Sequence, residues 1–200
     1  MDAVPARPAL LHALRPATVQ CLSASVLQGA LDPAIGLAVW QRPARASLHR
    51  SIAALLALPP FSQTAEGCPE TAMRALLRTM PFAARPIGVD IGLLARLFAM
   101  LTGESAVRLR LEHVADDACR RHHVDSVRLR LLCTYAGPGT EWLGESGQTH
   151  RMQTMHVGVF KGSAFPDAAP RVLHRSPPVA HMPAHRRSRL LLCIDQPGVF

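Results

Sequence analysis

His123 and Asp125, separated only by Val124, and His174, 49 residues beyond Asp125, are the side chains of this chain best suited to hold a metal ion. Two imidazoles and one carboxylate in the order H-x-D then H form the ligand set of a mononuclear non-haem iron centre. In a strand, residues two apart point to the same face, so His123 and Asp125 would aim at one point while Val124 turns away. A third ligand from a distant strand would complete one face of an octahedron and leave other positions open for a cosubstrate and oxygen. The plainer alternative is a polar turn between two strands, since an isolated H-x-D is common by chance. His122 lacks the i, i+2 relation to Asp125 and should face elsewhere.

Several neighbours bear on this chemistry. Cys119 lies four residues before His123; as a fourth ligand its thiolate would favour zinc in a closed tetrahedron, and otherwise it is a core residue. Tyr135, the only tyrosine, ends an apolar run that enters Ala-Gly-Pro-Gly-Thr140. Its phenol could hydrogen-bond a cosubstrate carboxylate or serve as a core aromatic. In Arg189-Leu-Leu-Leu-Cys-Ile-Asp195, alternation puts Arg189, Leu191 and Cys193 on one face and Leu190, Leu192 and Ile194 on the other. If the second face packs on helices, Arg189 points inward and requires an anionic partner, for which a dicarboxylate offers bidentate geometry. Otherwise Arg189 is the solvated start of a strand, and Arg187 is the alternative anchor. His113, His150, His156, His181 and His185 read as solvated or loop residues.

The elements that must position these groups change character near residue 104. Residues 1–17, rich in Pro and Ala, read as a loosely ordered N-terminus, and 18–104 as a helical region. Asp32-Pro33 has the form of an N-cap followed by proline at the first helical position, which predicts a helix through Ile35, Leu37 and Val39 to Trp40. Further helices are expected over Ala46–Leu58, Glu70–Met80 and Asp90–Leu101, with Pro59-Pro60 and Thr102-Gly103 as stops. From 105 to 200 the apolar period becomes two. Strands are expected at Val107–Leu111, Val127–Tyr135, Val157–Phe160, Arg171–His174 and Arg189–Ile194. Short strands with Gly/Pro-rich turns read as a jelly roll. The expected class is α+β, with N-terminal helices buttressing a C-terminal jelly-roll, cupin-like barrel in one compact unit.

Composition narrows the function classes. At 48% apolar residues the chain can bury a core. The formal charge of +8 rests almost wholly on arginine, because Lys161 is the only lysine. That bias fits a GC-rich bacterial genome, and with 4% aromatics the chain lacks the basic runs interleaved with aromatics of a nucleic-acid binder. Five cysteines without a C-x-x-C pair argue for a reducing compartment. No apolar run approaches the ~20 residues that span a bilayer, and no signal h-region is present. The expected location is cytoplasmic, with no membrane association.

The succession H-V-D, R-L-R-L-L-C-T-Y, G-P-G-T-E-W, V-G-V-F-K-G, H-R-S-P-P-V and R-L-L-L-C-I-D resembles a bacterial family known as domain of unknown function 1826. Behind it stands a remoter likeness to the iron(II)- and 2-oxoglutarate-dependent dioxygenases, especially the prolyl-hydroxylase-like branch. The likeness implies a double-stranded β-helix, with His123, Asp125 and His174 as iron ligands and Arg189 as the 2-oxoglutarate anchor. It implies an oxygenase, whose substrate could be a protein side chain, a small molecule or a modified base, since nothing in the chain selects among them. The competing expectation is a non-catalytic, cupin-like protein that binds zinc or another divalent ion in sensing or homeostasis.

Overall fold

The computed structural model describes residues 17–116, 119–166, 170–179, 182–183 and 187–198. Ten strands lie among them: β1 Thr18–Cys21, β2 Leu37–Trp40, β3 Phe61–Gly67, β4 Val107–Val114, β5 Leu129–Ala136, β6 Glu141–Leu143, β7 Thr149–Arg151, β8 Val157–Lys161, β9 His174–Arg175 and β10 Arg189–Asp195. Three α-helices, α1 His49–Leu56, α2 Pro69–Leu77 and α3 Ile87–Thr102, fall between β2 and β4. The larger sheet has the order β1-β2-β8-β5-β10-β4-β3, and the smaller β7-β6-β9. All pairings are antiparallel except β1 with β2.

Strand alternation sorts the larger sheet into two faces. Leu109 and Leu111 of β4, Leu131 of β5, and Leu190, Leu192 and Ile194 of β10 join one apolar cluster with Leu55 of α1, Leu76 of α2 and Ile91 and Phe98 of α3. Burying each such side chain contributes about 1.5–3 kcal/mol. On the other face Leu132, Phe160, Leu191 and Cys193 meet Trp142 of the smaller sheet in a second cluster. The local signals agree with the helices: Pro69 opens α2, Asp90 sits in the first turn of α3, and Gly103 closes α3 at φ 72°. Beneath α3, buried Asp90 accepts two hydrogen bonds from Arg42 (2.7 and 2.8 Å) and one from the Tyr135 hydroxyl (2.8 Å).

The first part of the chain departs from expectation. The stretch predicted as a helix from Asp32 to Trp40 is a turn followed by strand β2. Asp32 Oδ1 accepts from the Ala34 amide (2.9 Å) and so closes a turn. Leu37, Ala38 and Val39 are then fully buried between β1 and β8. Ile35, Leu37 and Val39 are spaced by two, the strand period. Strands β1 and β3 also lie inside the region read as helical, and both extend the larger sheet. The strand expected at Arg171–His174 begins only at His174. The N-terminal segment read as loosely ordered falls, up to residue 16, outside the described residues.

Candidate metal centre

Backbone pairing brings the two histidines together. The His123 amide donates to the His174 carbonyl (2.9 Å) and the His174 amide to the His123 carbonyl (3.0 Å), an isolated antiparallel bridge. Asp125 is held from the opposite side: the Ser163 amide donates to its carbonyl at 2.8 Å. Gly162 makes that approach possible, since a Cβ there would stand 2.0 Å from Val127 O and 2.6 Å from Asp125 O. One ligand atom each from His123, Asp125 and His174 then lies within 4.8 Å of the others.

The proton positions follow from the partners. His123 Nδ1 faces the Arg121 carbonyl (2.9 Å) and His174 Nδ1 the Val172 carbonyl (3.4 Å). A carbonyl only accepts, so a neutral ring with its proton on Nδ1 turns an Nε2 lone pair inward, as a metal ligand requires. His174 Nε2 and Asp125 Oδ2 face each other at 2.9 Å, and His123 Nε2 is 3.5 Å from Asp125 Oδ1. Oδ2 is buried and makes no hydrogen bond. Two inward lone pairs against a buried carboxylate oxygen require a proton or a cation between them. Burial alone would raise the Asp125 pKa, but with a proton on the facing His174 Nε2 and the Arg130 guanidinium beside it the carboxyl is held below its ordinary 3.8.

Arg130 is the residue that orients this carboxylate. Its Nη1 binds Asp125 Oδ1 at 2.5 Å, while Nε and Nη2 take both oxygens of Asp195 at 2.7 Å each. Arg130 is thereby clamped on one acid while it holds the other, and Oδ2 of Asp125 is left to face His174.

A cavity of about 160 Å³ opens beside the three groups, walled by Leu132, Leu191, Thr140 and Ser176. Arg189 lies behind this wall, 1% exposed. It points inward, as alternation along β10 predicts, and donates to Pro138 O (2.7 Å) and to Ser176 Oγ (2.7 Å). Among the described residues no carboxylate comes within ion-pair distance of it, and burial lowers its pKa to about 10. The turn at Gly137 fits against it: Gly137 has φ 80°, and a Cβ there would stand 2.3 Å from Ser188 O.

The other candidates do not converge. Tyr135 sits on the helix-facing side of β5 with its hydroxyl on Asp90, so it is a core aromatic and does not reach the cavity. Cys119 is exposed and lines the cavity, but its Sγ is outside the cluster of ligand atoms. Arg187 is exposed and donates to Met182 O (2.8 Å). His113 is buried between Leu58 O and Ser188 Oγ, and His150 stacks on Trp142. His122 turns its Nε2 into a buried spot without a partner, and His156 is half-buried. His181 and His185 lie outside the described residues. Sequence reasoning missed Arg130, Asp195 and Gly162. Asp195 shares the parity of Arg189 on β10, a signal that would have placed it on the inner face.

Among the described residues no helix is long and apolar enough to cross a membrane. The fold, mixed α/β with one large sheet, is similar to that of a rice dioxygenase for auxin oxidation, with TM-score 0.59 and 15% identity over 84% of this chain and 75% of that one. It is also similar to a prolyl-4-hydroxylase of Pseudomonas putida, with TM-score 0.50 and 16% identity over 88% of this chain and 99% of that one. At such identities the likeness shows a shared jelly-roll type of fold. No curated protein matches the sequence. Residues 22–195 match the model of a family described as a protein of unknown function, DUF1826, and the chain belongs to that family.

Proposed function

We propose that the protein is an iron(II)- and 2-oxoglutarate-dependent oxygenase, with His123 Nε2, Asp125 Oδ2 and His174 Nε2 as the metal ligands and Arg189 as the anchor for the far carboxylate of 2-oxoglutarate. The observation that carries this reading is the set of inward acceptor atoms around Asp125 Oδ2, a buried oxygen with no hydrogen bond. The donor set, two imidazoles and a carboxylate with no thiolate among them, suits iron(II) and leaves coordination positions open. When bound, iron(II) with 2-oxoglutarate supplies oxygen activation coupled to oxidative decarboxylation. The chain's own part is orientation. The Nδ1 contacts fix both rings, and Arg130 restrains one oxygen of Asp125 so that the other serves as ligand. Leu132 and Leu191 give part of the cavity wall an apolar surface beside the charged groups. Arg189 and Ser176 Oγ supply a cation and a hydroxyl at the far end, where a buried arginine without a carboxylate gains most from an anion.

The test is an anaerobic titration of metal-free protein with iron(II) and 2-oxoglutarate, following the weak visible charge-transfer band of the chelate. The band is expected in the wild type and lost in His123→Ala and His174→Ala. Arg189→Gln should weaken 2-oxoglutarate binding about tenfold or more, the worth of one charge-assisted hydrogen bond. A wild-type protein that binds iron(II) without the band contradicts the proposal.

A further inference from the structure

The inner face of the larger sheet changes chemistry along its width. From β2 to β10 it carries Leu37, Val39, Phe160, Leu132 and Leu191, which the smaller sheet covers. No residue of β3 or β4 belongs to that apolar cluster. Strand β4 instead turns Arg108, Arg110 and Glu112 to the side opposite Leu109 and Leu111, beside Asp195 and Cys193 of β10. A second cavity, of about 360 Å³, shares Arg110, His123, Asp125 and Arg130 with the first and adds Arg108, Ser126 and Asp195 to its wall. Charged side chains on an inward strand face mark where the sandwich interior opens to solvent, since a covered face would have to neutralise them.

The cations here are not equivalent. Arg130 is committed to Asp125 and Asp195. Among the described residues Arg110 has one ion-pair neighbour, Glu112, with Oε2 3.4 Å from its Nε, and that buried Nε makes no hydrogen bond. Its side chain is 37% exposed although Nε is buried, so the exposure lies elsewhere on the side chain, which lines the cavity. A part-exposed planar guanidinium in the cavity wall, beside the candidate metal ligands, is a receptor for an oxyanion.

We propose that this cavity is the substrate entrance and that Arg110 binds a carboxylate or phosphate group of the substrate. The inference deepens the oxygenase reading and rests on it for where the substrate reacts, but the anion site itself can be tested apart from it. The probe is inorganic phosphate, followed by its phosphorus NMR line width as the full-length chain is added, first metal-free and then with one equivalent of manganese(II). Saturable binding is expected in both, with strong paramagnetic broadening once manganese is bound. Arg110→Gln should weaken binding about tenfold or more, and Arg110→Lys less, because charge without the fork is retained. Glu112→Gln should tighten it about two- to fivefold by removing the competing carboxylate; a merely structural role for Arg110 would not produce that gain. Competition by acetate at similar concentration would assign the site to carboxylates, and its failure to phosphate esters. Absence of saturable binding, or equal binding by Arg110→Gln, overturns the inference whether or not manganese binds. Arg110-dependent binding without broadening would leave the anion site standing and count against the metal centre.

Discussion

Replacing Arg130 by Met tests whether the Asp125–Arg130–Asp195 chain is the support of the metal centre. The substitution leaves two carboxylates, 10% and 8% exposed, without their shared counterion. Breaking one buried pair costs about 3–5 kcal/mol, chiefly through the charge left behind. Arg130 itself is 15% exposed, so water screens part of the loss, and about 2–4 kcal/mol is expected. Urea unfolding of metal-free protein, extrapolated linearly, measures it. A saturating divalent ion should recover part of the loss, because the ion replaces Arg130 as the countercharge of Asp125 but not of Asp195. Adding Asp195→Asn should recover a further part, so that the double variant is more stable than Arg130→Met alone by about 1 kcal/mol or more. A single-variant loss below about 0.5 kcal/mol, the size of an ordinary surface substitution, would refute the argument. So would a double variant less stable than the single one.

Two further outcomes follow from described contacts. Tyr135→Phe should lower stability by about 1–3 kcal/mol, because Asp90 loses a buried donor, while the 2-oxoglutarate affinity measured by the chelate band stays unchanged. Glu141, bound by Arg151 and by Arg175 (Nε to Oε2 2.8 Å), governs an acid-sensitive joint in the smaller sheet. Burial opposes its ionisation, but the two arginines prevail and hold its pKa below the ordinary 4.5. Its stabilisation is therefore complete above pH 4.5 and lost as pH falls through the lower folded value. Tm measured across pH 3–6 should fall less steeply in Glu141→Gln than in the wild type.

What could be read from sequence divides along physical lines. The alternation of Arg189 with Leu191 and Cys193 is a local rule, and Arg189 lies on the face it assigns; His123 and Asp125, expected on a strand, instead come together from a loop held by one isolated bridge, ahead of β5. The same alternation should have excluded Tyr135. Arg130, Leu132 and Thr134 face inward, so Tyr135, one residue further, faces the helices. Asp32-Pro33 misled because a turn-forming Asx and a helix cap share residue types, and the decision between them came from β1 and β8 on either side of β2. Phe61–Gly67 follows Pro59-Pro60 and alternates only weakly, so its pairing with β4 was not visible. Arg130 was seen only as one polar residue of an alternating strand, because its partners, Asp125 and Asp195, come from other segments of the fold.

Strand β10 lies between β5 and β4, yet it follows all nine other strands in the chain. During synthesis from the N-terminus, β4 and β5 therefore wait with unpaired inner edges until residues 189–195 leave the ribosome. Two open edges of apolar strands are a hazard for intermolecular pairing over that interval. The same strand delivers Asp195, which clamps Arg130, and Arg189. A nascent chain that already contains His123, Asp125 and His174 thus still lacks the scaffold that aims them.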